Sequence, residues 1–477
     1  MTGADRRKVL RLRAPSRSWR AIALGMAGLV AVTWARAGWL RTLLVDGTGT
    51  VATWVVLGAA WLALSVLAVR GYLDATRTGV RRLSPLLGPA LLLQVIAAFA
   101  LPYSSNDLWS YVAYGRMMRV GISPYAAGPS ALPAGDPFLA LVSPNWRDAP
   151  SVYGPILSGL SWIAGRSPSV LGAAVVYKAM MLGVTLAIVL VAYAICRKHV
   201  PPAAAASSFV LFAWNPLLAY EIGGQAHNDG VMVLALAAFV WAALEERALL
   251  GALFLAIGFH AKFAVAPVAG LYLVYLARRS VLRAAGVAAV FAVVGLLAWW
   301  PFWSGPGTLL GPLASVAANP SRMTRSFAEG ISLLAGLVGP HAASAAYHVC
   351  WWAGTSLLVL LAARAIAVVS AVSTVESVLH ESLLFLLAYL LVAAPFVLPW
   401  YVSWVLPLAA VERDARWRRV VALYSGLSVV EWCADVPPLQ ALAVNGVVLV
   451  VIARSLATVR RRQAEVVAED PAIAHEG

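Results

Sequence analysis

The chain has 477 residues, of which 61% are hydrophobic and only 12% charged, and its mean hydropathy is +0.80. A soluble globular domain carries roughly one-quarter charged residues, so this balance excludes a soluble protein and points to a polytopic membrane protein. The net charge of +15 does not call for nucleic acid, because the Lys and Arg residues cluster at the ends of apolar runs, where they set topology.

The stretch 1–20 is basic, with Arg6, Arg7, Lys8, Arg11, Arg13, Arg17 and Arg20. The apolar run that follows has no small-residue cleavage site, so a retained first span with a cytoplasmic N-terminus is expected. Further runs place spans near 51–69, 84–102, 169–196, 203–220, 229–244, 284–302, 342–363, 382–398, 400–411, 420–433 and 439–455. The stretch 249–276 is interrupted at His260-Ala261-Lys262 between two cationic ends, Arg247 and Arg278-Arg279, which reads as a hairpin of two short helices with Lys262 at its turn. The expected fold is all-α, a transmembrane helical bundle of about eleven to fourteen spans over 21–455, with a cytoplasmic tail over 456–477 that is disordered from 463. Most Lys and Arg then fall on the cytoplasmic side, which leaves two long loops outside, 103–168 and 303–341. Cys196, Cys350 and Cys433 have no metal-ligand spacing and read as packing residues.

The first loop is rich in Pro, Gly, Tyr and Trp and is expected to fold against the membrane surface. Its segment 156–165 is too short to span. Asp107 is the first carboxylate in this loop. On a helix over 107–119 it shares a face with Tyr111 and Tyr114, at i+4 and i+7. A carboxylate among aromatics has its pKa raised by desolvation, which suits a general base acting on a hydroxyl; capping of that helix by Asn106 or Asp107 is the plainer reading. Tyr125, Arg147 and the Tyr153-Gly-Pro155 turn follow. Their aromatic faces suit a sugar and Arg147 suits a phosphate, although an interfacial belt with a snorkelling arginine would look the same.

A second cluster runs from Trp214-Asn-Pro216 through Glu221 to His227, Asn228 and Asp229. Ionisable groups at such depth are paired or functional. His227, Asn228 and Asp229 would touch substrate hydroxyls or orient Asp107, with Asp229 capping the next helix as the alternative. One His and one Asp do not make a metal site. Lys262 needs a neutralising partner, either a phosphate or a protein carboxylate. Arg322 and Arg325 in the second outer loop suit an anionic headgroup or snorkelling. Pro399-Trp400-Tyr401 sits at an outer membrane boundary, where Pro breaks a helix and aromatics pave the break.

The ordered set Asn106-Asp107, Tyr114-Gly-Arg116, Gly121-Ile-Ser-Pro-Tyr125, Tyr153-Gly-Pro155, Asn215-Pro216, His227-Asn-Asp229, Lys262 and Pro399-Trp400-Tyr401 resembles the GT-C glycosyltransferases. It looks most like the actinobacterial polyprenol-phosphomannose-dependent α-1,6-mannosyltransferases, over about 84–410. The resemblance implies a polyprenyl-phosphate mannose donor, a glycolipid or polysaccharide acceptor, chemistry on the outer face and a carboxylate base that maps onto Asp107. Transfer from a β-linked donor to an α-linked product implies inversion. Those enzymes usually place the acid after their first span, whereas three apolar runs precede it here. No cofactor or metal is expected, since a lipid monophosphate held by cations can leave without one, and there is no nucleotide-binding glycine fingerprint. The competing readings are transfer of another sugar by the same fold and a lipid-linked-sugar flippase, for which inverted halves would be the mark.

Overall fold

The computed structural model describes residues 3–46, 51–80, 82–103, 105–303, 305, 308–309, 311–312, 325–431 and 437–469. Among these there is helix and no strand, as the apolar runs require when every backbone polar group must be satisfied within its own segment. The N-terminal helices α1 (Gly3–Asp46) and α2 (Val51–Ala75) form a hairpin. They approach closely because Gly25 faces Ala68 and the Leu64 carbonyl, where a Cβ would meet atoms at 2.7 Å. Helix α3 (Ser84–Ala98) completes three helices before the first long loop. That loop holds α4 (Asp107–Arg119) and α5 (Pro155–Gly165), the latter opened by a proline in its first turn, where the missing N–H costs nothing.

Helix α6 (Val170–Lys198) is followed by α7 (Pro202–Ala213) and a π-helical segment, Leu218–Gly224. The last two meet at a 42° bend at Asn215-Pro216. Pro216 interrupts the ladder, and the Asn215 Oδ1 accepts from the N–H groups of Leu217 and Leu218 at 3.0 and 3.2 Å. The Asn215 amide also donates to the Tyr72 hydroxyl and Ser425 Oγ, both at 2.9 Å, so the break ties α2 to a late helix. Helix α8 (Asp229–Leu244) follows, then α9 (Ala248–Ala261) and α10 (Ala266–Arg279), which flank Lys262, and α11 (Val281–Trp299). The remainder comprises α12 (Phe327–Ala335), α13 (Pro340–Val372), α14 (Val375–Ala388) with a π-helical end at Tyr389–Ala393, a 3-10 segment Pro399–Val405 running into α15 (Leu406–Val411), α16 (Ala415–Val430) and α17 (Pro437–Glu469).

The core is built on α7, the π-helical segment and α8, where Phe209, Phe212, Trp214, Tyr220 and Phe239 are buried. Helices α11 and α13 lie at the edge and present Leu282, Leu296, Leu297, Val349 and Leu360 outward, faces that meet lipid in a membrane. Among the described residues, seven helices are long and apolar enough to cross a bilayer, or eight with the bent pair. The larger expected count requires shorter helices such as Ser84–Ala98 and Asp229–Leu244 to be counted as crossings. The expected hairpin around Lys262 is present as α9 and α10, and the expected helix over 107–119 is α4. The tail differs from expectation. Helix α17 runs to Glu469, because Gln463, Ala464, Glu465, Ala468 and Glu469 are helix formers.

Candidate active site

Asp107 is the first residue of α4, where a carboxylate complements the exposed N–H groups of the helix start. Its own N–H donates to Ser105 Oγ at 3.0 Å, and Tyr111, one turn on, donates its hydroxyl to Asp107 Oδ2 at 3.3 Å. Asn106 holds the N-cap position without a side-chain cap bond. Tyr114 points to the loop, donating to the Ala149 carbonyl at 2.9 Å. Helix α4 is set by Gly115, where a Cβ would lie 1.9 Å from the Ser161 carbonyl oxygen of α5; only glycine allows that approach.

His227 reaches the site from the segment after the π-helix. Ala226 before it takes a left-handed φ of 62°, a conformation that costs a non-glycine residue about 1 kcal/mol. The buried ring of His227 stacks on Trp400 with centroids 3.5 Å apart. Its Nε2 lies 3.2 Å from Glu221 Oε2 and its Nδ1 lies 3.7 Å from Asp107 Oδ2. Burial lowers the imidazole pKa, yet the carboxylates of Asp107 and Glu221 outweigh it and raise the value to about 9. The raised Asp107 pKa expected from desolvation is corrected. Burial does push this carboxyl up, but His227, then Ser105 and Lys262, outweigh it and hold it below the ordinary value.

Lys262 ends α9. Its Nζ donates to Asp229 Oδ1 at 2.7 Å and lies 4.6 Å from the Tyr401 ring centroid and 5.4 Å from that of Trp404. The same Asp229 oxygen accepts from Trp404 Nε1 at 2.7 Å. Of the two partners open to Lys262, the protein carboxylate is therefore present, and Asp229 serves it from the start of α8. The Tyr153-Gly154-Pro155 turn docks on the end of α9. The Gly154 N–H donates to the Ala261 carbonyl at 3.1 Å, and a Cβ at Gly154 would fall 2.0 Å from the His260 carbonyl oxygen.

Asp107 and Lys262 open onto one cavity of about 820 Å³, within the usual range for a small-molecule site. Asn106, Tyr153, Trp400 and Tyr401 line its polar part; Leu358, Phe385, Leu386 and Phe396 line the other wall. His227, Asn228 and Asp229 lie buried behind that lining. Tyr125 braces it from outside, donating to the Tyr153 carbonyl at 3.0 Å.

The arginines are placed elsewhere. Arg116 pairs with Asp136 at 2.9 Å. Arg147 donates to the Val142 and Ala140 carbonyls at 3.1 and 3.4 Å, closing its own loop. Arg325 forms a buried ion pair with Glu431. All three stand outside the cavity lining, engaged by loop carbonyls, by Asp136 and, for Arg325, by Glu431 at the end of α16. Arg322 lies outside the described residues, as does Cys433. Among the described residues no group of three or more His, Cys, Asp or Glu side chains is arranged to hold a metal.

Sequence reasoning passed over Glu221 and Trp404 as site residues, although Glu221 falls within the second cluster and Trp404 follows Trp400 at i+4. Nothing local marks Phe385 or Tyr389 as cavity residues, since apolar and aromatic side chains on a membrane helix look alike wherever they face.

The family described as alpha-(1->6)-mannopyranosyltransferase, N-terminal domain, matches residues 18–279, more than half of the chain. The match begins within α1, so the three helices before Asp107 belong to the family's own domain and are not an added element. An alpha-(1->6)-mannopyranosyltransferase A of Mycobacterium tuberculosis is 25% identical over 416 residues, covering 80% of this chain and 74% of that protein. Alpha-(1->6)-mannopyranosyltransferase A of Corynebacterium glutamicum is 29% identical over 185 residues, 37% of this chain and 36% of the relative. The B enzyme of the same organism is 30% identical over 193 residues, 38% and 31%. The matched segment thus spans about a third of the length of the Corynebacterium relatives. On the strength of the match over 18–279, which takes in the acid of α4, the His227-Asn-Asp229 segment and Lys262, this chain belongs to the alpha-(1->6)-mannopyranosyltransferase family.

Proposed function

We propose that the protein transfers a mannosyl group from polyprenyl-phosphate mannose to a mannoside hydroxyl of a lipid-linked or cell-envelope glycan, with inversion, on the outer face of the membrane. The observation that carries this reading is the single cavity with a carboxylate at Asp107, a cation at Lys262 and an apolar wall on α13 and α14. Asp107 takes the proton of the acceptor hydroxyl as that oxygen bonds to the anomeric carbon. The bond from that carbon to the phosphate oxygen breaks, and its electron pair leaves with the lipid phosphate. Lys262 has three N–H donors, one of which goes to Asp229; the others suit the oxygens of the departing phosphate. The apolar wall fits a prenyl chain, and Tyr153, Trp400 and Tyr401 offer faces for a sugar ring. The outer-face assignment rests on the distribution of Lys and Arg along the sequence.

Membranes carrying Asp107→Asn test this directly, with radiolabelled polyprenyl-phosphate mannose and a synthetic octyl α-mannoside as acceptor. The expected loss is about 10²- to 10⁴-fold, the usual worth of a general base. Near-normal transfer by inserted Asp107→Asn protein would remove Asp107 from the mechanism.

A further inference from the structure

A buried carboxylate stands behind the site and has no part in the mechanism above. Glu221 sits in the π-helical segment with none of its surface exposed, 3.2 Å from His227 Nε2, while the other ring nitrogen faces Asp107 at 3.7 Å. A neutral imidazole has one N–H and one lone pair, whereas an imidazolium has two N–H groups. Only the charged ring can present a donor to both carboxylates at once. The Trp400 indole stacked 3.5 Å from it adds a π-face that favours a cation. A π-helical turn and the left-handed Ala226 are local distortions that set Glu221 and His227 in this line, and such distortions gather at functional sites.

We propose that Glu221 and His227 are positioning residues for the transfer reaction: Glu221 holds His227 as an imidazolium, and the imidazolium keeps Asp107 ionised and aimed into the cavity. This inference rests on Asp107 being the base. Other charged and titratable groups also face the chain. Tyr111 donates to Asp107, and Ser105 accepts from the Asp107 N–H; Lys262 and Tyr153 lie near Asp107 across the cavity. The Lys262–Asp229 pair sits beside it, and Lys262 also favours the ionised form of Asp107. Tyr177 on α6 and Tyr401 feel both Asp107 and Asp229. Tyr220 and the Glu431–Arg325 pair stand on the Glu221 side. Among the described residues, His227 is the group that touches both Glu221 and Asp107.

The test is the pH profile of mannosyl transfer, measured on purified full-length protein with polyprenyl-phosphate mannose and octyl α-mannoside. The wild-type acidic limb reports protonation of Asp107, and the alkaline limb reports loss of the His227 proton near pH 9. In His227→Gln the acidic limb moves up by about one pH unit or more, the effect of removing an opposite charge at such a distance. In Glu221→Gln the alkaline limb moves down, because the imidazolium loses an anion that held its proton, and Glu221→Asp restores part of the shift. A purely structural role would lower the plateau and leave both limbs in place, and that result overturns the inference. If one variant fails to insert, the other still decides, since each moves a different limb. Should Asp107→Asn retain transfer, the base assignment itself fails; should it be inactive while both limbs stay fixed in the other variants, only the present inference fails.

Discussion

Gly154→Ala tests the joint between the first long loop and the Lys262 hairpin, and its effect follows from distances alone. The new Cβ would lie 2.0 Å from the His260 carbonyl oxygen, whereas ordinary contact begins at 3.4 Å. Both partners are backbone, so neither can swing aside, and the turn must move off α9 by the difference, about 1.4 Å. That movement stretches the Gly154 N–H bond to Ala261, now 3.1 Å, beyond hydrogen-bonding range. Overpacking of this kind costs about 1–3 kcal/mol, and the lost hydrogen bond adds about 0.5–1.5 kcal/mol. Tyr153 moves with the turn and Lys262 with the helix end, so the cavity loses its registration by more than an ångström, a displacement that can cost on the order of 10² in rate. Thermal unfolding in detergent and mannosyl transfer would be measured side by side. Gly159→Ala is the control. A Cβ there meets nothing within 4 Å, and alanine in a helix interior gains about 0.5–1 kcal/mol over glycine. Wild-type stability and transfer in Gly154→Ala would refute the close approach and with it the role of the turn.

Two further changes separate packing from chemistry. Asp229→Asn leaves Lys262 without its carboxylate and should destabilise by the lower end of the roughly 3–5 kcal/mol seen when one member of a buried pair is removed, because Lys262 keeps 18% of its side chain exposed. Adding Lys262→Met should recover the melting temperature but not transfer, which stays about 10²- to 10³-fold down for want of the cation; an active double variant would show that Lys262 serves folding alone. Arg147→Gln removes two loop hydrogen bonds and should lower stability by about 0.5–1.5 kcal/mol for each with the KM for the lipid donor unchanged. A KM rise of about tenfold, equivalent to about 1.4 kcal/mol of binding, would instead place Arg147 on the phosphate.

Much of the architecture is local and therefore legible in the sequence. Apolar runs fix helices because a bilayer leaves the backbone no other partner, and the break at Lys262 and the helix from Asp107 to Arg119 follow from a polar interruption and a spacing of four. The motifs also carried the family. What the sequence leaves open is which polar group answers which. Arg116, Arg147 and Arg325 carry the same charge as Lys262, yet carbonyls or carboxylates elsewhere in the fold engage all three, while Lys262 reaches the cavity with Asp229 behind it. Glu221, His227 and Asp107 come from two stretches more than a hundred residues apart, and only the tertiary fold, with His227 stacked on Trp400, sets them in line. That packing also reverses the sign of the shift at Asp107: desolvation by itself would raise its pKa, and the imidazolium that the fold brings beside it lowers it. A single sequence shows the charge and the apolar surroundings but not the distance between two charges, and in a low-dielectric interior it is the distance that decides.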